Sequence, residues 1–596
     1  MKKLIAIALA ALMLTGCAAK EAPEQIQPTQ TEAAIQETVP APTYELVAET
    51  QTEMAYASRF DSVTEIVLND GEITVSGNEA AVSTSHDIVF YEDKDVYDSG
   101  NPYGEGEDWE RHAQAEADGH TVVNITQPGA YRVTGKLSQG QIRIDLGDMA
   151  YDNADSVVEL ILKDADITCT VAPAILFENV YECDGNWSAD TAKAEVDTSA
   201  AGANLILEGE NVVNGSHVAK IFKEKEGQKK LWKQDGAIYS YMSMNVFGPG
   251  KLDLTADNEG LDTELHLTIN GGDIAIRADN DGINTNEDGV SVTTINGGNI
   301  HIIAGLGAEG DGIDSNGYLV INGGMVVSSA NPGADAGLDS DLGSYVNGGT
   351  VIALGSTMDW AESDSQQVTM NLQFSQNQSS EAAVVITRED GTVIFAYDPS
   401  DDEVLAGNKR VYSGAVISCA NFHVGEAYNV YADGQITGSD LGGIYDVTTV
   451  TGFTGGIQMA YTGTDVMMRP GGMGFGGQMP VGMEGFDPQN LPEGMERGQM
   501  PEGMENFTPG QMPEGMENFD FSQFDGQRPE GMENFEPQSM PEGMENFAPG
   551  QMPEGMEGMV PPNGFGGFDI QGETGEANTS FYMQDMVNAF SGLANV

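Results

Sequence analysis

The tripeptide Asn-Gly-Gly recurs through the middle of the chain at almost constant spacing. Its copies begin at Asn270, Asn296, Asn322 and Asn347, in steps of 26, 26 and 25 residues. An aliphatic residue precedes each asparagine, and another follows two positions after the second glycine, as Ile269 and Ile274 do in the first copy. Self-similarity at such a period indicates that each copy is one structural unit and that neighbouring units stack.

A second motif, a glycine followed by Leu or Ile and then by Asp or Asn, runs in phase with the first. Its copies are Gly260-Leu261-Asp262, Gly282-Ile283-Asn284, Gly312-Ile313-Asp314 and Gly337-Leu338-Asp339. The steps between these copies are 22, 30 and 25 residues. The segments that join the two motifs therefore change in length from one repeat to the next.

The apolar pattern of the repeat region predicts an all-β fold. Val, Ile and Leu alternate with polar residues and are interrupted by Gly, Asn and Asp, whereas helical periodicity is nearly absent. A period near 25 with short strands favours a parallel β-helix, in which equivalent residues stack about 4.8 Å apart. Leucine-rich repeats need a framework that is missing, and propeller blades need about 40 residues. The stretch 220–232 departs from the pattern and is interpreted as a short helix or a loop.

The first residues have the features of a bacterial lipoprotein signal. Lys2 and Lys3 precede a short apolar segment, and Leu14-Thr15-Gly16-Cys17 matches the lipobox, whose cysteine receives the lipid. We expect residues 1–16 to be a signal peptide and Cys17 to hold the protein at the extracellular face of the cell membrane. Two or more acyl chains anchor a protein stably. The alternative is an ordinary secretory signal that contains a cysteine by chance.

Composition divides the remainder into five segments. Residues 17–57 are rich in Glu, Gln, Thr, Ala and Pro and predict a disordered tether. Residues 58–365 hold the repeats and predict the parallel β-helix. Residues 366–465 lose the repeat and predict a small C-terminal β domain with a hairpin. Residues 466–567 are a tail rich in Met, Gly, Pro and Glu that predicts disorder, and 568–596 form a C-terminal segment.

The charge of the chain limits its partners. A formal charge of −68 excludes nucleic acid and anionic lipid headgroups. Acidic and amide side chains concentrate at and beside the second motif. They are Glu259, Asp262, Asp281, Asn284, Asp311, Asp314, Asp335, Asp339 and Asp341. Stacked repeats would bring carboxylates to about 4 Å, where they repel by about 1 kcal/mol in water and about 4 kcal/mol near a protein surface.

A bound cation would neutralise these acids. Between Gly236 and Thr387 the only Lys or Arg residues are Lys251 and Arg277, so cations of the protein itself are not expected to do this. Because a hard divalent cation with flexible oxygen coordination suits carboxylates, we expect calcium as the cofactor. The alternative is that the aspartates and asparagines are solvated turn residues, which favour corners for backbone reasons.

No arrangement in the sequence marks a reaction. Pectate lyases combine calcium with an Arg or Lys base, but we interpret Arg277 as an outward strand residue that balances Asp279 or Asp281. No Ser-His-Asp pattern surrounds the histidines of the repeat region, which are interpreted as surface residues: His217, His266 and His301. Paired carboxylates for glycoside hydrolysis are not excluded, but nothing distinguishes one pair. We therefore predict no catalytic residue.

Aromatic side chains often stack on sugar rings. The candidates for this role are Trp232, Tyr318, Tyr345 and Trp360. Each of them is equally well explained as a core or corner residue.

Several stretches resemble a known family. They are Gly129 to Leu137, Val158 to Leu162, Gly236 to Ser240 and, as the most specific, Asp311 to Ser315 with the Asn-Gly-Gly copies. These residues resemble the carbohydrate-binding domain-containing lipoproteins of Gram-positive, mostly clostridial, bacteria. The resemblance implies a right-handed parallel β-helix, calcium at the Asp and Asn corners, and binding of cellulose and acidic pectic sugar. Ala336 departs from the pattern, since other repeats have an acidic residue there.

The leading hypothesis is a non-catalytic, lipid-anchored cell-surface protein that binds polysaccharide through a calcium-stabilised domain. One alternative is a calcium-dependent polysaccharide lyase of the pectate type, and another is a structural surface adhesin.

Overall fold

The structure is a computed structural model that describes residues 44–48, 54, 56–88, 112–225, 228–356, 359–379, 382–405, 410–464 and 576–596. The signal peptide with Cys17, most of the tether and the low-complexity tail lie outside these residues. The lipid anchor and the disorder of the tether and tail therefore remain predictions, as do the domain boundaries. Among the described residues, no helix is both long and apolar enough to cross a membrane.

The described residues consist mainly of β-strands. The strands up to residue 256 are β1 Val63–Leu68, β2 Thr74–Ser76, β3 Val82–Ser85, β4 Thr121–Ile125, β5 Gly129–Leu137, β6 Gly140–Asp145, β7 Val158–Thr168, β8 Ile175–Asn179, β9 Ala203–Glu208, β10 Glu210–Gly215, β11 Val218–Lys225, β12 Gln228–Gln234, β13 Gly236–Ser240, β14 Met244–Phe247 and β15 Lys251–Ala256. The strands of the repeat block are β16 Glu259–Thr263, β17 Leu267–Ala278, β18 Ile283–Thr285, β19 Val292–Ile303, β20 Ile313–Ser315, β21 Tyr318–Ile321, β22 Met325–Ser329, β23 Gly343–Val346 and β24 Thr350–Gly355.

The remaining strands follow the repeats. They are β25 Thr369–Ser379, β26 Val384–Arg388, β27 Val393–Tyr397, β28 Val411–Ser418, β29 Ala427–Ala432, β30 Gln435–Thr437, β31 Asp440–Leu441, β32 Ile444–Tyr445, β33 Gly452–Thr454, β34 Ile457–Ala460, β35 Phe581–Tyr582 and β36 Val587–Asn595. Among the described residues, helical structure is limited to α1 Gln114–Ala117 and the 3-10 turns Glu79–Ala81, Ala150–Asp152, Ala189–Thr191 and Pro399–Asp401.

The all-β prediction is confirmed, but the right-handed parallel β-helix is not the architecture found. The strands form a 24-stranded mixed sheet, an 8-stranded sheet and two 2-stranded sheets. Within the largest sheet, six parallel strands close into a ring in the order β7, β10, β15, β17, β14, β9 and back to β7. Further strands extend this ring. The repeat period predicts which residues lie opposite one another, but it does not determine how the strands close.

Long strands produce the ring because each pairs with two neighbours. The first part of β7 pairs with β9 and its last residues pair with β10. In the same way, β17 pairs first with β14 and then with β15. One strand of 11 or 12 residues therefore takes the place of two short strands separated by a corner.

The aliphatic ladders predicted from the spacing are present. Ile269 lies opposite Ile295, which lies opposite Ile321. The row that starts at Ile274 continues through Ile300 in the same way. All five side chains are at most 1% exposed, so the ladders form the core between the sheets.

The asparagines of the Asn-Gly-Gly copies form a ladder of their own. Asn296 Nδ2 donates to Asn270 Oδ1 at 2.9 Å, and Asn322 Nδ2 donates to Asn296 Oδ1 at the same distance. The second glycine of each copy turns the chain with positive φ, as Gly272 does at 109°. The asparagine is thus needed for the hydrogen bonds between side-chain amides, and the second glycine is needed for the positive φ of the turn.

Outside the repeats, one segment differs from its predicted structure and another confirms it. Residues 220–232, interpreted as a helix or loop, belong to the antiparallel pair β11–β12. Beyond the repeats, β26 and β27 form the predicted hairpin. The last strand, β36, returns to pair with β25 in parallel.

Candidate functional site

Close packing between repeats explains the glycine of the second motif. A Cβ atom on Gly282 would lie 2.2 Å from Ile302 Cγ2, a distance that side chains do not tolerate. With glycine in place, Gly282 N donates to Asp311 O at 3.1 Å. Likewise, Gly260 N donates to Asp281 O at 2.9 Å. The acidic residues beside the glycines are therefore brought together repeat by repeat.

The third residue of the motif forms a row across the 8-stranded sheet. Asp262 on β16 lies opposite Asn284 on β18, which lies opposite Asp314 on β20. Asp339 continues the row, since its backbone N–H donates to Ile313 O at 2.8 Å. We call this row, together with Glu259, Asp281, Asp311, Asp335 and Asp341 beside it, the acidic ladder.

Three buried oxygens at one end of the acidic ladder have no hydrogen-bond partner. They are Glu259 Oε2, Asp262 Oδ2 and Asn284 Oδ1. The three side chains are 3%, 0% and 5% exposed. The Glu259 carboxyl lies within hydrogen-bonding reach of Asp262 and Asn284, so without a cation the two carboxyls would have to share a proton. Oxygens of this kind lose their hydration on burial, which costs free energy unless a donor or a cation replaces the water.

Neighbouring amides fix the direction of these oxygens. Asn286 Nδ2 donates to Asp262 Oδ1 at 2.7 Å. Asn284 Nδ2 donates to Asn286 Oδ1 at 3.2 Å. The amide oxygen of Asn284 accepts no hydrogen bond, and its side chain lies beside the Glu259 carboxyl.

Burial and mutual repulsion raise the pKa values at this end. Burial, followed by the charge of Asp235, raises the pKa of Glu259 to about 7. Burial, followed by the charge of Glu259, raises the pKa of Asp262 well above its usual value. Both carboxyls therefore hold protons more tightly than ordinary acids do in the absence of a cation.

The middle of the acidic ladder behaves in the same way. Burial, with added repulsion from neighbouring carboxylates, raises the pKa of Asp311 and of Asp314 to about 8. Burial and the charge of Glu259 also raise the pKa of Asp281. Backbone donors partly compensate, since Asp311 N donates to Asp281 Oδ1 at 2.6 Å.

The far end of the acidic ladder is better solvated and better paired. Asp335 Oδ2 accepts from Gly310 N at 2.9 Å, and Asp339 Oδ1 accepts from Ser340 N at 2.9 Å. Asp341 is exposed. These three residues therefore behave as solvated turn residues, which is the alternative to a calcium site.

A lysine that the sequence interpretation overlooked lies beside the buried end. Lys233 Nζ forms an ion pair with Asp235 Oδ2. Burial lowers the pKa of Lys233, but the carboxylates of Asp235, Glu259 and Asp262 outweigh it and hold that pKa above its usual value. The expectation that no protein cation neutralises these acids is therefore wrong at this end. Lys233 lies three residues before Gly236, where the stretch with few Lys and Arg residues begins.

The donor set at the buried end suits a hard cation. Carboxylate and amide oxygens are the ligands that calcium uses. Across the described ranges, no three His, Cys, Asp or Glu side chains are arranged to hold a metal ion. A cation here would therefore need the amide oxygen of Asn284 in addition to the carboxylates of Glu259 and Asp262.

Two of the aromatic candidates are neighbours. Tyr318 and Tyr345 are half-buried, with ring centroids 6.2 Å apart. Trp360 is also half-buried, and the next residue, Ala361, pairs with Ser344, which precedes Tyr345. Trp232 lies on β12, and its side chain is outside the described part. Trp187, which was not a candidate, is 48% exposed in the loop after β8.

Two other interpretations are corrected. Arg277 pairs with Asp253, with Nη1 and Oδ1 2.5 Å apart, rather than with Asp279 or Asp281. The three histidines interpreted as surface residues are buried. His217 is 7% exposed, His266 is 1% exposed and His301 is 3% exposed. His301 lies between Asp402 Oδ2 and Asn299 Oδ1, each 2.8 Å from a ring nitrogen. Nothing in the repeat pattern indicates the contact of His301 with Asp402, because it joins segments that are distant in the sequence.

A curated protein is similar to part of the chain. A protein of Acetivibrio thermocellus, named a carbohydrate-binding domain-containing protein, is 29% identical over 157 residues. The match covers 26% of this chain and 45% of that relative, so the chain spans less than half of the relative's length.

A solved structure is also similar. Its name is "Structure of the polysaccharide lyase-like protein from C. thermocellum, Gadolinium derivative", and it is 21% identical to this chain. The match covers 48% of this chain and 92% of that one, with a TM-score of 0.29. A TM-score this low supports no conclusion about fold or function.

The family comparison is more extensive. Residues 118–421, just over half of the chain, match the family described as carbohydrate-binding domain-containing protein. The match includes the whole acidic ladder and the Asn-Gly-Gly copies. It agrees with the resemblance seen in the sequence, and the chain belongs to the carbohydrate-binding domain-containing protein family.

Proposed function

We propose that the protein binds polysaccharide at the cell surface, holds calcium at the buried end of the acidic ladder, and catalyses no reaction on the bound sugar. The observation that carries this proposal is the group of three buried, unpartnered oxygens of Glu259, Asp262 and Asn284, in a chain of a carbohydrate-binding family. The lipid anchor at Cys17 is part of the proposal and rests on the lipobox.

Calcium accounts for the energetics of the buried end. A divalent cation replaces the missing hydrogen-bond donors and offsets the repulsion between Glu259 and Asp262. It also allows both carboxyls to ionise at neutral pH, although burial raises their pKa values. Calcium binding is then coupled to the release of protons.

The cation also suits the overall charge of the protein. A chain with a formal charge of −68 repels an anionic polysaccharide. Calcium held at the ladder offsets this repulsion, and through a remaining coordination position it can bridge the ladder to a sugar carboxylate. A glycan with uronic acid residues is therefore the ligand we expect at this end of the molecule.

The state of Lys233 supports binding without cleavage. A lyase needs a neutral amine or another base near the sugar to remove a proton. Neighbouring carboxylates hold the pKa of Lys233 above its usual value, so the amine stays protonated. In this state it neutralises Asp235 rather than acting as a base.

The test measures binding and cleavage together. The protein is incubated with polygalacturonate in calcium or in EDTA, and both retention on the polymer and absorbance of unsaturated products are followed. We expect retention that EDTA abolishes, with no rise in absorbance. A rise in absorbance would reject the absence of catalysis, and retention unchanged in EDTA would reject the role of calcium.

A matched pair of variants locates the effect. Asp262→Asn removes a buried charge while preserving shape, and Asp148→Asn makes the same change at an exposed position. We expect only Asp262→Asn to weaken binding to polygalacturonate. Equal behaviour of the two variants would contradict the assignment of the site.

A further inference from the structure

A polar cavity lies apart from the members of the acidic ladder. Its volume is about 510 Å³, within the range of about 300–1,000 Å³ typical of small-ligand pockets. The loop between β8 and β9 forms most of it, with contributions from the two segments that carry His266 and Val290. None of its lining residues belongs to the acidic ladder.

Buried contacts hold the loop in place. Glu182, 6% exposed, accepts hydrogen bonds from Ser243 N at 2.7 Å and from Ser243 Oγ at 2.9 Å. At the other end, Thr198 Oγ1 donates to Asn245 Oδ1 at 2.7 Å. The loop is therefore fixed at both ends, and the cavity between them is preformed.

His266 presents unused hydrogen-bonding atoms to this cavity. The side chain is 1% exposed and lines the cavity, and its Nδ1 atom has no hydrogen-bond partner. Its Nε2 atom makes only a long contact, 3.5 Å from Asp184 Oδ2. A buried polar group without a partner costs free energy, which a ligand hydroxyl would recover.

The neutral form of His266 can hydrogen-bond to a sugar hydroxyl. Burial lowers the pKa of His266, so the ring is neutral at pH 7 and offers one N–H donor and one acceptor nitrogen. A sugar hydroxyl can both donate and accept a hydrogen bond. A carboxylate ligand only accepts, and would leave one of the two nitrogens unsatisfied.

The other lining groups favour an uncharged ligand. The polar residues of the lining are Asp184, Asn186, Thr191, Lys193, Glu195 and Asp197. Three carboxylates against one ammonium repel an acidic sugar and accept hydrogen bonds from neutral hydroxyls. Burial raises the pKa of the Cys183 thiol to about 12, so the thiol is protonated and is a poor ligand for soft metals.

An exposed aromatic residue belongs to the same loop. Trp187 directly follows Asn186, which lines the cavity, and is 48% exposed. A tryptophan face binds the apolar C–H face of a sugar ring through burial of apolar area. Aromatic and hydrogen-bonding groups are therefore present in one fixed loop.

We infer that this cavity is a subsite for an uncharged sugar residue of a polysaccharide, bound through His266, the loop carboxylates and Trp187 without calcium. The inference rests on the proposed polysaccharide binding and adds a second site with different charge selectivity. The acidic ladder takes uronic acid residues through calcium, whereas this loop takes neutral sugar residues.

The test uses the full chain and two probes of equal length in isothermal titration calorimetry. Cellohexaose is the neutral probe, and hexagalacturonate is the acidic one. We expect Trp187→Ala to weaken cellohexaose binding by about tenfold or more and to change hexagalacturonate binding less than twofold. Tyr582→Ala, which removes an aromatic side chain that is 53% exposed elsewhere, is the matched control and should change neither.

Calcium removal and a charge variant give independent readouts. EDTA should leave cellohexaose binding unchanged while abolishing that of hexagalacturonate. Glu195→Gln keeps a hydrogen-bonding side chain but removes one charge, and we expect it to retain cellohexaose binding. Thermal melting confirms that each variant is folded.

The outcomes separate the two proposals. A wild-type chain that binds hexagalacturonate but not cellohexaose overturns the neutral subsite and leaves the proposed function intact. Cellohexaose binding that Trp187→Ala does not weaken, or that EDTA abolishes, also overturns the subsite. A wild-type chain that binds neither probe overturns both proposals.

Discussion

The two ends of the acidic ladder carry the same motif in very different surroundings. At one end, Asp262 is fully buried and keeps an oxygen without a partner. At the other end, Asp339 is bonded to Ser340 N, and Asp341 is exposed. The motif alone therefore does not determine whether an acid is a turn residue or a candidate ligand. Burial and the supply of hydrogen-bond donors make that difference.

Removal of calcium should have the largest effect, because it exposes the repulsion between carboxylates at the buried end. If the cation offsets repulsion at the buried end, EDTA should lower Tm by about 5 °C, the shift that a site saturated about a thousandfold above its Kd gives in a folded region of about 400 residues. Differential scanning calorimetry with and without added calcium measures it, and magnesium serves as the control ion. An unchanged melt, with no metal found by elemental analysis, would mean that the ladder consists of turn residues throughout.

A pair of substitutions should distinguish the two ends. Asp262→Asn removes one of the two carboxylates at the buried end, and we expect it to weaken calcium binding by about a hundredfold. Asp341→Asn makes the same change at the exposed end and should alter the affinity less than twofold. Calorimetric titration of each variant with calcium measures both effects. Equal losses would show that the two ends do not differ in the way proposed.

The pH dependence of stability sharpens the comparison further. In the metal-free folded protein, burial raises the pKa of Asp311 and Asp314 to about 8, whereas the unfolded chain releases these protons near pH 4. The folded state thus binds more protons between these values, and the free energy of unfolding falls as pH rises from about 4 to about 8. In EDTA we expect Tm to fall by several degrees from about pH 5 to about pH 8.

Calcium supplies the control for the pH experiment. A cation bound at the buried end ionises Glu259 and Asp262, and its positive charge lowers the pKa values of the neighbouring Asp311 and Asp314. The fall in Tm should therefore be smaller in calcium. A Tm in EDTA that stays constant or rises over this interval would contradict the raised pKa values.

The smallest expected effect concerns Lys233. Its ammonium group lies beside Glu259 and Asp262 and repels a cation bound there. Lys233→Gln should therefore strengthen calcium binding by about threefold and lower Tm slightly in EDTA. Lys251→Gln, which affects a lysine paired with Asp273, is the control. A loss of calcium affinity in Lys233→Gln would show that this lysine supports the site instead of competing with the metal.

The sequence predicted well what depends on the repeat period. The rows through Ile269 and Ile274 lie in register, and so do Asp262, Asn284 and Asp314, because a fixed spacing along the chain becomes a fixed neighbour across parallel strands. The glycines of the second motif follow from the same stacking.

The remaining features depend on contacts that no period encodes. Closure of the ring results from the length of β7 and β17, which a motif spacing does not reveal. Lys233 reaches the ladder from β12, outside the repeats. His266 is buried by a loop, whose own sequence carries no repeat, so neither its burial nor the cavity beside it could be predicted.

The most direct measurement is anomalous X-ray diffraction from a crystal grown in calcium. The account predicts an anomalous peak with oxygens of Glu259, Asp262 and Asn284 at about 2.3–2.6 Å, the range of calcium–oxygen bonds. A peak only at the exposed end near Asp341, or none along the ladder with the Glu259 and Asp262 carboxyls hydrogen-bonded to each other, would contradict it.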